Sequence, residues 1–138
     1  MTAYQIYDTF ILMDEKNCVI YEGPQFTIKW YYDINGKSVA LDFFEDASEN
    51  LQDKFLLLIK RMGDFGKIYD IEKFRNEGDG IYAFKPQPDR YLAFFTEGKE
   101  IIVTNGFKKK KDKLPKNEKD LALRFRNDYL ERKTGGKK

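Results

Sequence analysis

The sequence predicts an α+β domain with helices packed on one face of a small, mostly antiparallel sheet and a last helix at the C-terminus. Three observations carry this expectation. Residues 80–107 hold three apolar, β-prone runs separated by two short turns, the pattern of an antiparallel meander. Residues 51–62 repeat apolar side chains at helical spacing behind a capping serine. A chain of 138 residues, 41% hydrophobic and 16% aromatic, is long and apolar enough to bury one core between one sheet and a few helices, so a single domain over residues 1–132 is expected.

The elements follow in chain order. YQIYDTFILM (4–13) and CVIYEG (18–23), separated by DEKN, read as a hairpin. This hairpin is a possible addition, over residues 1–25, to the domain that follows. QFTIKWYYD (25–33) alternates, is rich in Thr, Ile, Trp and Tyr, and is closed by the turn signal Asn35-Gly36; it is expected as a central strand. Ser38 can cap a short helix over VALDFFEDA (39–47), although VALDFF is also compatible with a strand. Ser48 can cap a second helix in which Leu51, Phe55, Leu58, Ile59 and Met62 form one stripe ending near Gly63. The meander comprises GIYAFKP (80–86), DRYLAFFT (89–96) and KEIIVTNGF (99–107). Beyond Pro115, Asn117 can cap a final helix with Leu121, Phe125 and Tyr129 on one stripe, and residues 133–138 are expected as a disordered tail. Helices on one face would leave the other face of the sheet open to a ligand.

Composition narrows the chemistry. Histidine is absent, which removes the commonest neutral-pH acid/base group and the commonest metal ligand. The single cysteine, Cys18, excludes an internal disulfide framework and reads as buried packing. No metal and no other cofactor is expected. The longest apolar runs, such as FLLLI (55–59), fall far short of the ~20 residues of a membrane span, so the expectation is a cytoplasmic protein with no membrane partner. The net charge of +2 hides a segregation: residues 107–138 carry 13 Lys+Arg against 5 Asp+Glu, a net +8, whereas residues 1–106 carry 12 against 18, a net −6. A basic quarter on an acidic body is an electrostatic footprint for a polyanion, nucleic acid above all.

Within that footprint, Lys85 and Arg90 flank the loop PQPD. On an antiparallel hairpin they sit about opposite, with Cβ atoms roughly 5 Å apart, and two such cations repel unless an anion lies between them. A phosphate suits the planar fork of arginine. The lysines of GFKKKKDKLP (106–115) leave the third meander strand beside this hairpin. Clustered lysines depress one another's pKa, which would make a neutral lysine available as a base. Tyr82, Phe84, Tyr91, Phe94 and Phe95 alternate along the same strands, so those on an open face, Tyr82 and Tyr91 among them, would stack on unpaired bases while the rest build the core with Trp30.

These residues resemble the phage-derived, HigB-like branch of the RelE toxin superfamily. The resemblance spans residues 26 to about 132 and rests on the strand, Asn-Gly turn and Ser-capped helices, on the GIYAFK and RYLAFF strands, and on NGFKKKKDKLP. That last segment has the family form Gly-Phe-x-Lys-Lys-x-x-Lys-x-Pro on Gly106, Phe107, Lys109, Lys110, Lys113 and Pro115. Residues 1–25 have no counterpart in it, Asn105 stands where many relatives have histidine, and Ala83 stands where many have glutamate.

The resemblance implies a small RelE-like sheet flanked by helices. It implies an mRNA endoribonuclease of a type II toxin-antitoxin system that works in the ribosomal A site, without metal, through attack by the substrate 2′-hydroxyl. It places Lys85, Arg90, Lys109 and Lys110 as catalytic residues; the other lysines of the run, Lys108, Lys111 and Lys113, and the strand tyrosines Tyr82 and Tyr91 are expected to bind RNA. A lysine would take the 2′-proton and arginine would stabilise the phosphorane charge. The partners implied are a HigA-like helix-turn-helix antitoxin, the ribosome and mRNA. The rival readings are a noncatalytic RNA- or ribosome-binding module on the same scaffold, and an interaction protein whose basic end meets an acidic partner.

Overall fold

The computed structural model describes residues 18–110 and 113–135. Its elements are β1 (Val19–Glu22), β2 (Thr27–Trp30), α1 (Val39–Asp46), α2 (Glu49–Phe65), β3 (Phe74–Gly78), β4 (Ile81–Phe84), β5 (Asp89–Phe95), β6 (Glu100–Lys108) and α3 (Lys116–Gly135). Residues 4–13, expected as the first arm of a hairpin, lie outside the described residues. The fold is α+β, as the sequence indicates, and the three expected meander strands are β4, β5 and β6.

One six-stranded sheet runs in the order β1-β2-β6-β5-β4-β3. Strand β2 is interior, as expected, but it pairs parallel to β6, from Thr27 opposite Glu100 to Trp30 opposite Val103. The sheet is therefore mixed. The parallel pair arises because β2 and β6 are separated in sequence by two helices and the β3–β5 meander, a connection long enough for the chain to return in the same direction.

Alternation along the strands sorts the core into two layers. Phe84, Tyr91, Ala93, Ile101 and Val103 face α1 and α2, where they meet Phe55, Leu58, Ile59 and Met62. Ile81, Ala83, Leu92, Phe94 and Ile102 face the other way, onto Ala122 and Phe125 of α3. The expectation that helices cover one face only is thus corrected. Strands apolar on both faces need cover on both, and the unbroken runs IYAF, YLAFF and IIV already carry that two-sided pattern.

Local chemistry explains most boundaries. Ser38 and Ser48 cap their helices by accepting from the backbone N–H of Leu41 (3.1 Å) and Leu51 (3.3 Å), and 39–46 is helix rather than strand. Helix α2 does not stop at Gly63; it runs to Phe65 and is capped by Gly66 in the left-handed region. Gly63 is a point of close approach. Its carbonyl accepts from Gln25 N–H (2.8 Å) in the β1–β2 turn, and a Cβ there would lie 2.6 Å from the Tyr21 ring. Helix α3 starts at Lys116, so Asn117 lies inside its first turn rather than capping it, and the helix continues through Gly135, past the expected boundary at 132. A residue that packs into the α3-side layer, Leu121, follows one turn into the helix.

Candidate functional site

Strands β4 and β5 pair antiparallel from Tyr82 opposite Ala93 to Phe84 opposite Tyr91, and one step further this register sets Lys85 opposite Arg90. Both side chains point to the α3 side of the sheet, at the end where β4 stops and β5 begins. Each is 6% exposed. The loop between them contains a cis peptide at Gln87-Pro88.

Neither side chain hangs loose. The Lys85 backbone N–H donates to the Lys73 carbonyl (2.8 Å), and its Nζ donates to the Ile71 carbonyl (2.9 Å). Arg90 Nη1 donates to Gln87 Oε1 (3.0 Å) and to the Asp89 carbonyl (3.2 Å). These bonds hold one edge of the guanidinium and leave the rest of its donor fork for a ligand.

Two further cations come from the lysine run. Lys109 backbone N–H donates to the Pro88 carbonyl (3.0 Å), which draws the end of β6 against the β4–β5 loop. Lys109 and Lys113 then line, together with Lys85 and Arg90, a cavity of about 220 Å³ floored by Phe107, Leu114 and Pro115. Strand β3 closes the opposite wall with Arg75 and Glu77, and Glu72 stands before it. Five cations against two carboxylates make this an anion-binding hollow.

The electrostatics agree. Burial pushes Lys85 below the usual lysine range, and the neighbouring Arg90 charge pushes it further. Burial also lowers Arg90, against the pull of Glu77 and Glu72, although a guanidinium stays charged at neutral pH. Two buried like charges so close are stabilised by any anion that enters between them.

The structure brings together Lys85, Arg90, Lys109 and Lys113 of the residues the sequence singled out. It does not bring in the others. Lys108 points to the opposite face and pairs with the buried Asp89 at 3.1 Å. Lys110 lines an adjoining groove with Lys108 and Lys116 on the other side of Leu114-Pro115. Lys111 lies outside the described residues. Tyr91, expected on RNA, is 1% exposed and sits against Phe55 with ring centroids 4.0 Å apart. Tyr82 is on that same α1–α2 face, stacked on Phe74 at 5.4 Å and edge-on to Phe95. Alternation sends both away from the cavity, so neither presents a ring to a ligand held there.

The two departures from the family pattern also have places. Asn105 is fully buried and structural: it donates to the Glu118 carbonyl (3.2 Å) and carboxylate (3.0 Å) and accepts from Thr104 (2.6 Å). It does not line the cavity. Ala83 is buried beneath α3, opposite Arg75 of β3. Strand β3 itself, with Arg75 and Glu77, was not foreseen. Its signal was the Asp79-Gly80 turn that leads into IYAFK, which marks a hairpin whose first arm is the polar FRNEG.

Among the described residues, no group of three or more metal-ligating side chains is placed to hold an ion, and no helix is long and apolar enough to cross a membrane. Comparison with curated proteins finds no match. Residues 42–127, which run from α1 into α3 and include all of the cavity, match the model of a family described as Phage derived protein Gp49-like (DUF891). That match covers more than half of the chain, and the protein belongs to the phage-derived Gp49-like family.

Proposed function

We propose that the protein is an endoribonuclease toxin of a type II toxin-antitoxin system, of the HigB-like kind, that cuts mRNA in the ribosomal A site. The observation that carries this reading is the buried Lys85–Arg90 pair, each cation pinned by its own hydrogen bond, in a cavity that Lys109 and Lys113 complete. Such a site is complementary to a phosphodiester whose charge grows in the transition state. A cavity of about 220 Å³ admits a phosphate with its flanking oxygens, and preorganised donors aimed at developing charge are the usual source of large rate effects.

The chemistry follows from what is present. The substrate 2′-hydroxyl is the nucleophile nearest the phosphorus, so attack yields a 2′,3′-cyclic phosphate and a 5′-hydroxyl. Arg90 offers its unused donors to the non-bridging oxygens, and Lys85 adds a second charge from the facing strand. Five cations around two carboxylates would repel a divalent ion, which favours metal-independent cleavage. The partners of this reading are the ribosome, its mRNA and a HigA-like antitoxin, and the site of action is the cytoplasm.

The test is to induce the chain in cells and map new mRNA 5′ ends. Cuts within translated frames, lost in Arg90→Ala, are expected. A growth arrest with no new 5′ ends would contradict the reading and leave RNA binding as its explanation.

A further inference from the structure

We infer that Glu77 is the group that takes the proton of the attacking 2′-hydroxyl, a role that rests on the endoribonuclease reading. The case starts from how Glu77 enters the cavity. Strands β3 and β4 pair with Arg75 opposite Ala83 and Asn76 opposite Tyr82, but Gly78, not Glu77, stands opposite Ile81. Glu77 is the extra residue of a β-bulge. The bulge leaves Glu77 unpaired in the ladder, and its side chain, two residues on from Arg75, lines the cavity alongside it. Bulges are over-represented next to active sites.

The bulge is held from the far side of the domain. Gly78, Asp79 and Gly80 all have positive φ (92°, 56° and 78°), a turn that needs support at its one non-glycine position. Helix α3 supplies it. Lys119 Nζ donates to the Glu77 carbonyl (3.1 Å) and pairs with the Asp79 carboxylate (2.9 Å), and Arg126 donates to the Asp79 carbonyl. The backbone of Glu77 is thereby fixed while its half-buried carboxylate has no hydrogen-bond donor among the described residues. Glu72, the other carboxylate of the cavity, is exposed and lies in the loop before β3.

The chemistry needs a base, and Lys85 is poorly placed to be it. Lys85 is fixed as a donor to the Ile71 carbonyl, a use of its protons that suits a charge-stabilising role. A carboxylate can accept a proton directly, whereas a lysine ammonium must first lose one, and the negative charge of an entering RNA phosphate offsets the surrounding cations and favours that transfer. In the step, the 2′-O–H proton passes to the Glu77 carboxylate as the O2′–P bond forms and the P–O5′ bond breaks. The departing 5′-oxygen takes a proton from the ammonium of Lys109 or Lys113, which water later restores.

The experiment measures cleavage of mRNA on programmed ribosomes by the full chain, from acidic to neutral pH, for the unaltered protein, Glu77→Gln, Glu77→Asp and Glu97→Gln. Affinity for a 2′-deoxy RNA that cannot be cut is measured alongside. Glu77→Gln should lose about 100-fold or more in rate and lose the fall in rate on the acidic side. It should bind the uncut RNA at least as tightly, because a negative charge has left the cavity. Glu77→Asp, which keeps a carboxylate one methylene short, should retain reduced activity and the acidic fall, and Glu97→Gln, on the exposed β5–β6 turn, should match the unaltered chain. Undiminished cleavage by Glu77→Gln would overturn the assignment, as would weakened binding in parallel with the lost rate, which marks a structural role. If the unaltered chain cuts no RNA, the endoribonuclease reading fails first and this assignment falls with it.

Discussion

At the scale of single residues, function separates from packing at the β4–β5 loop. Arg90 is buried beside Lys85 and depresses it, so truncating Arg90 relieves a repulsion while removing a phosphate ligand. Arg90→Ala should therefore remain folded, with an unchanged or higher melting temperature, and lose about 100-fold or more in RNA cleavage; a soluble variant with full activity would remove Arg90 from the site. Tyr91 is the opposite case. Its hydroxyl is buried without a partner among the described residues, and burial pushes its pKa well above the usual tyrosine range. Because an unsatisfied buried hydroxyl costs roughly 1–3 kcal/mol, Tyr91→Phe should raise the urea midpoint and leave cleavage unaffected, whereas a loss of RNA affinity would return the ring to the interface. The cations were legible in the sequence because a tight loop dictates which residues face each other. The tyrosines were not, since alternation says that neighbours point to opposite faces without saying which face is the open one.

At the scale of elements, one carboxylate ties three of them together. Glu100 of β6 pairs with Lys29 of β2 at 2.6 Å and with Lys133 of α3 at 3.4 Å. Burial alone would raise its pKa, but the hydrogen bond and charge of Lys29 outweigh burial and hold it below the usual glutamate range. A carboxylate lowered in the folded state contributes stability that is fully present above its unfolded pKa, near ~4.3, and is lost as pH falls through the lower folded value. Glu100→Gln should flatten the fall in unfolding free energy below that range and lower stability at neutral pH, as read from urea midpoints; an unchanged acid limb would contradict the linkage. Helices α1 and α2 were legible from their serine caps and apolar stripes. Strand β3 was missed because it is short, polar and at the sheet edge, where half-exposed residues carry no apolar alternation. That omission hid Arg75 and Glu77, and with them one wall of the cavity.

At the scale of the molecule, the two-sided core decides where a ligand can go. With α1 and α2 on one face and α3 on the other, both faces of the sheet are covered, and among the described residues the basic cavity lies at the end of the sheet where β4, β5 and β6 meet Lys113, Leu114 and Pro115. The basic quarter of the chain is therefore not a tail appended to the fold but part of the wall around Lys85 and Arg90. The charge segregation and the three meander strands are legible in the sequence; the second covered face is not, because a continuous apolar run reads as well for a half-buried strand as for one buried on both faces. The central claim is that this hollow cuts RNA through the substrate's own 2′-hydroxyl. The most direct measurement is cleavage by the purified chain of ribosome-bound mRNA carrying either a ribose or a 2′-deoxyribose at the cut position. Cleavage of the ribose substrate alone, leaving a 2′,3′-cyclic phosphate or its hydrolysis product, is the predicted result, and undiminished cleavage of the deoxy substrate would contradict it.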